Sequence, residues 1–215
     1  MPAALWTGRD ADPDRVTADL SGVLGRELGL ARPPVAVTLP SDSTGVPAGS
    51  LLPPRERFSG MPAPTLCYVY VDARAPRPFE LRASLMVGRA LVRRSLGLGQ
   101  LFYAVPLTRS VPARTALSAP RRFGPSSFEG DAGVAGRLNA DRELVADANA
   151  LTPLEAGPDA SHSWSVERLL AVEPLPGEQG SVLLLRTLHR AAAHGWSLRA
   201  DAVLDLAARI EAALG

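Results

Sequence analysis

The spacing of apolar residues along the chain predicts a set of helices. The first begins at Asp12, a good helix cap, and ends at Gly29, a residue type that commonly follows the last helical turn. A later helix can be capped by either Asn139 or Asp141. In each of these segments apolar residues recur every three or four positions, as they do on one face of a helix. The predicted helices span 13–28, 79–96, 141–151 and 198–214.

Other segments are dense in β-branched and aromatic residues and predict strands. The first of them lies within PPVAVTLP and is flanked by prolines on both sides. The last two are joined by EPLPGEQG, a loop rich in turn residues, so we expect them to form an antiparallel hairpin. The predicted strands span 35–39, 65–71, 100–107, 111–117, 164–172 and 181–188.

Together these elements predict an α+β fold in which antiparallel β-pairs are flanked by helices in layers. The predicted order along the chain is α-β-β-α-β-β and then α-β-β-α. With 215 residues, of which 46% are hydrophobic, the chain can bury one sizeable core, and we expect a single domain over 1–215. A Pro- and Gly-rich loop is predicted at 40–64, and any sub-domain boundary is expected at 118–131.

The charged residues limit the chemistry that this chain can perform. Basic and acidic residues nearly cancel, at 23 against 22, and every basic residue is Arg. A lysine-free chain is typical of a bacterium with a GC-rich genome, so we attribute the missing lysine to codon bias and not to function. The absence still excludes a phosphate-binding P-loop lysine, a Schiff base and the strand lysine of protein kinases.

Targeting and redox signals are sparse in this sequence. Cys67 is the single cysteine, which excludes an intramolecular disulfide and a multi-cysteine metal site. The N-terminal sequence MPAALWTGRDADPDR lacks the basic and apolar regions of a secretory signal. No uncharged stretch approaches the roughly 20 apolar residues that a helix needs to cross a bilayer. We therefore expect a cytoplasmic protein without a membrane span.

The segment RASLMVGRALVRRS, at 82–95, contains several arginines among apolar residues. On a helix, Arg82, Arg89 and Arg93 fall along one narrow side, where planar guanidinium groups could bind phosphates or a partner's carboxylates. Arg121 and Arg122, in a loop, could add to this surface. The alternative is a half-buried helix whose arginine stems cover apolar surface while their charged ends stay in water. Near-zero net charge and a 5% aromatic content favour that alternative over nucleic-acid binding.

The histidines are confined to the C-terminal third of the chain, at His162, His189 and His194. In the predicted hairpin, His162 and His189 lie at the same open end, and His194 follows a few residues later. Three imidazoles and a water are a known zinc arrangement, so zinc is the one cofactor that the sequence suggests. The competing interpretation is ordinary loop histidines, because HRAAAH lacks the spacing and the glutamate of a zinc-protease helix.

These observations favour a non-enzymatic interaction domain, working as a subunit, adaptor or chaperone-like partner of another macromolecule. A protein partner is the leading expectation, supported by the long Pro-rich segment and the arginine-rich segment. Two alternatives from other classes stay open. One is a nucleic-acid-binding protein that uses the arginine-lined helix, and the other is a metal-dependent enzyme with a three-histidine site.

Overall fold

The structure is a computed structural model, and the fold is described for the stretches of chain that it defines. Those stretches are 13–37, 65–72, 77–89, 94–118, 126–151, 169–175, 180–190 and 198–215. The loop predicted at 40–64 lies outside them. The boundary predicted at 118–131 lies partly outside them, because 119–125 is not described.

Helices and strands mix along the described chain, which confirms the α+β class. The helices are α1 (Pro13–Glu27), α2 (Ala132–Ala140), α3 (Arg142–Leu151) and α4 (Ala200–Leu214). The strands are β1 (Val35–Val37), β2 (Thr65–Asp72), β3 (Phe79–Arg89), β4 (Arg94–Leu107), β5 (Thr115–Leu117), β6 (Phe128–Glu129), β7 (Leu169–Pro174) and β8 (Ser181–Arg190). The strand order in the sheet is β1-β2-β3-β4-β8-β7-β5-β6. The pairs β1–β2, β2–β3, β5–β6, β5–β7 and β7–β8 are antiparallel.

The chain divides into two compact units. The first comprises Met1–Phe102 and Leu188–Asp201, and the second comprises Tyr103–Thr187 and Ala202–Gly215. The expectation of a single domain over 1–215 stays a prediction.

In the first unit, α1 ends at the glycine that the sequence indicates. Gly29 has φ +69°, the Leu30 amide donates to the Gly25 carbonyl at 2.8 Å, and the Gly29 amide donates to Arg26 at 3.2 Å. This pair of bonds is a Schellman cap, in which glycine is favoured because a side chain is strained at positive φ. The leucines on the apolar face of α1 are buried, at Leu20, Leu24 and Leu28.

The predicted helix over 79–96 is wrong, because this segment forms β3 and the beginning of β4. Strand β3 pairs antiparallel with β2 along the whole length of β2. Residues 79–83 are all buried, with the apolar Phe79, Leu81 and Ala83 on one face of the strand and the charged Glu80 and Arg82 on the other. Apolar residues recurring at helical intervals also occur in a strand that is buried on both faces, and here the pairing with β2 decides between the two.

In the second unit, the predicted C-terminal hairpin is confirmed as β7 and β8. Leu169 pairs with Arg186, and Pro174 pairs with Ser181. The stretch from Ser181 to Leu185 is buried at every position, as expected for a continuously apolar strand covered on both faces.

Helix α2, also in the second unit, has no counterpart in the sequence prediction. Gly133 and Gly136 each weaken a helix by about 1 kcal/mol relative to Ala, and they mask the helical pattern. The start signal is nevertheless present, because the Asp131 carboxylate accepts from the Val134 amide at 2.9 Å. Val134 and Leu138 then form the buried face.

Candidate interaction surface

Arg82, the first of the predicted anion-binding residues, lies inside the first unit. Its exposure is 2%, and its Nε donates to Glu80 Oε1 at 2.7 Å, with Glu80 fully buried. The two residues are two positions apart on β3 and therefore share a face of the strand. Taking two charges out of water is costly unless they pair, and removing one partner of such a pair costs about 3–5 kcal/mol. The structure thus places Arg82 in an internal ion pair of β3.

The other predicted arginines are not gathered with Arg82 by the described residues. Arg89 is the last residue of β3, while Arg93, Arg121 and Arg122 fall outside the described stretches. The helical side that would align Arg82 with Arg89 does not form, since this segment is a strand. The predicted arginine-lined helix is therefore wrong. Anion binding by these residues stays a prediction.

The predicted three-histidine site cannot be assembled from the described chain. His189 belongs to β8, and His162 and His194 fall outside the described stretches. Among the residues that the structure describes, no group of three or more His, Cys, Asp or Glu side chains could hold a metal ion. Zinc binding stays a prediction.

The first strand of the sheet presents an open edge. Strand β1 lies at one end of the strand order and pairs with β2 on one side, with Val35 opposite Val69 and Val37 opposite Cys67. None of the described strands pairs with its other side. Val35 is 67% exposed and is the one large hydrophobic side chain classed as exposed in the described part of the chain. An edge strand that carries an exposed apolar residue is a surface to which another strand can add.

Side-chain contacts fix β1 from its N-terminal side. The Ser21 hydroxyl of α1 donates to the Pro34 carbonyl immediately before the strand. Arg32 donates to the Val71 carbonyl at 3.0 Å, so it covers a backbone acceptor of β2 at a position that β1 does not reach. The pairing edge of β1 is therefore held in place by contacts that leave Val35 exposed.

Tyr70 forms the buried base of this region. Its ring centroid lies 5.5 Å from that of Phe79, and the Arg32 guanidinium lies 5.7 Å from the Tyr70 ring centroid, within cation–π range. The Tyr70 hydroxyl donates to the Asp72 carboxylate at 2.8 Å. Burial raises the pKa of Tyr70, and the neighbouring Asp72 carboxylate raises it further. Tyr70 is therefore neutral at physiological pH and keeps its role as donor.

The last strand of the sheet has a closed edge. At β6, the Phe128 amide donates to Asn139 Oδ1 at 2.8 Å, and Asn139 Nδ2 donates to the Phe128 carbonyl at 2.9 Å. The side-chain amide of Asn139 thus satisfies both backbone groups of one strand residue, as a neighbouring strand would. Of the two helix caps that the sequence predicts, Asn139 has this different role and Asp141 caps α3, since it accepts from the Leu144 amide at 2.9 Å.

An open groove of about 470 Å³ lies beside the junction of α2, α3 and α4 in the second unit. Arg209 on α4 pairs with Asp141 at 3.3 Å, with Asp147, and with Glu143 at 3.9 Å. The pKa of Asp141 is lowered, first by the hydrogen bond from the Leu144 amide and then by Arg209. The Arg209 charge is matched by two carboxylates of α3 and by Asp141, which caps α3, so these contacts join α3 to α4. The groove is lined by Arg137, Ala140, Asp141, Arg209, Ala212 and Ala213.

Comparison with family models, with curated proteins and with solved structures finds no match to this chain. No helix in the described stretches combines the length and the apolar character needed to cross a membrane.

The sequence predicts β1 as a strand but does not indicate that its edge is exposed. One signal was available, because prolines that flank a short apolar run are typical of an edge strand. The exposure of Val35 depends on which strands stand beside β1, and that is a long-range property. The closure of β6 by Asn139 has no local signal, since Asn139 lies 11 residues after Phe128, near the end of α2.

Proposed function

We propose that this chain is a non-enzymatic interaction domain that binds an extended segment of a protein partner along the outer edge of β1. The observation that carries this proposal is the 67% exposure of Val35 on a strand whose outer side pairs with none of the described strands. Strand addition explains why an apolar side chain stands at that position: the partner would cover it.

Two kinds of interaction would contribute to binding at this edge. Alternate residues of an antiparallel edge strand direct their amide and carbonyl groups away from the sheet, so a partner backbone gains hydrogen bonds in register. The apolar area of Val35 that is removed from water adds about 25 cal/mol per Å². Backbone bonds supply affinity, and the side chains beside Val35 select the partner.

Several charged side chains of the described chain are engaged in internal contacts, which supports a structural role for them. Arg114 pairs with the buried Glu173 at 3.2 Å, and Arg199 pairs with Asp201 at 3.0 Å. Arg82 is committed to the buried pair on β3. Such pairs position strands and helices, and they favour a recognition scaffold over an anion-binding surface built from the same residues.

The test is tagged purification of the full chain from its native host, comparing wild type with Val35→Lys. Lysine on an edge strand opposes strand addition because its charge must stay in water. The matched control is Ala208→Lys, which adds the same side chain at an exposed position of α4. Each preparation is made with and without nuclease.

We expect a partner protein near one-to-one with wild type and with Ala208→Lys, and its loss with Val35→Lys. Equal recovery with both variants would contradict binding at β1. Recovery that disappears on nuclease treatment would contradict a protein partner and would favour nucleic acid instead. We propose a reducing, cytoplasmic setting for this interaction, which the single cysteine, Cys67, supports.

A further inference from the structure

We draw no further inference here: the strongest candidate, the open groove of about 470 Å³ beside the junction of α2, α3 and α4, is lined by Arg137 and Arg209 together with Asp141, so its charge selects no ligand class, and nothing in the structure shows what occupies it.

Discussion

The two end strands of the sheet differ in whether the backbone groups on their outer side have a hydrogen-bonding partner among the described residues. At β6, the amide of Asn139 bonds to both backbone groups of Phe128, and this edge is sealed by the protein itself. At β1, contacts fix the approach to the strand but Val35 stays two-thirds exposed. An exposed edge is a risk of aggregation that proteins usually cover, shorten or charge. Under the proposed function, the edge of β1 is open because a partner strand adds to it.

The contrast also shows how little of the sequence is needed to close an edge. One residue, Asn139, replaces a whole neighbouring strand because β6 has only two residues, Phe128 and Glu129. Strand β1 is nearly as short, with three residues. Short length is itself a protection, because it leaves few unpaired backbone groups for unintended pairing.

The largest expected effect comes from the ion pair behind the open edge. Arg82 stands opposite Val69, which in turn stands opposite Val35. Arg82→Met removes the guanidinium from the buried Glu80 carboxylate and should lower the free energy of unfolding by about 3–5 kcal/mol. Urea denaturation measures it.

The control for this prediction is Arg199→Met. Arg199 pairs with Asp201, but both side chains are more than half exposed, so its loss should cost below about 1 kcal/mol. Equal losses for the two variants would contradict the assignment of Arg82 and Glu80 as a buried ion pair that the fold depends on.

The next effect should come from opening the closed edge. Asn139→Leu leaves the Phe128 amide and carbonyl without the side-chain amide and should cost about 1–3 kcal/mol. It should also produce larger, concentration-dependent assemblies, because a second edge becomes available. Light scattering measures assembly, and urea denaturation measures stability.

Asn149→Leu is the matched control for the closed edge. It removes a 2.9 Å bond from Asn149 to the Val145 carbonyl within α3, so an asparagine is lost from a helix while the Asn139 contacts to Phe128 are kept. Assembly by this variant, or a monomeric Asn139→Leu protein, would contradict the role assigned to Asn139.

Asn139→Asp separates the two hydrogen bonds at the closed edge by pH. An ionised carboxylate can still accept from the Phe128 amide, but it cannot donate to the Phe128 carbonyl. The protonated form can donate, so the pKa of the introduced carboxyl should rise above its ordinary value of about 3.9. Its stabilisation should be present below about pH 3.9 and be lost as pH rises through the folded pKa. A difference from wild type that does not change between acid and neutral pH would refute this.

The fold was predictable from sequence where the signals are local. Gly29 ends α1 and Asp141 caps α3 because both act within a few residues of their own position. Strand β3 was predicted as a helix because its apolar spacing suits either structure, and only pairing with the preceding strand, β2, selects a strand. The open edge at Val35 and its closed counterpart both depend on which strands become neighbours, which a single sequence does not reveal.

A smaller effect is expected at the junction that follows Asn139. The Leu144 amide and Arg209 hold the pKa of Asp141 below its ordinary value of 3.8. Its contribution to stability is therefore present above about pH 3.8 and is lost as pH falls through the folded pKa. Asp141→Asn keeps a capping acceptor and loses the charge, so its melting temperature should be slightly lower than wild type at neutral pH and equal to it in acid. A gap between the two proteins that persists in acid would contradict this assignment.

The smallest effect on stability is expected for Val35→Lys. The side chain is already in water, so the free energy of unfolding of the monomer should change by less than about 0.5 kcal/mol. Thermal unfolding at low concentration measures it. A large loss would mean that Val35 packs within its own molecule and that the defect in association has a trivial cause.

Residue-resolved hydrogen exchange tests the central contrast most directly, with wild type beside Asn139→Leu. The outward-facing amides of Val35–Val37 should exchange fast in dilute protein. The Phe128 amide should be protected in wild type and lose that protection in Asn139→Leu. Protected β1 amides in dilute protein, or a Phe128 amide that exchanges as fast as the open amides of β1, would contradict the account of one open and one closed edge.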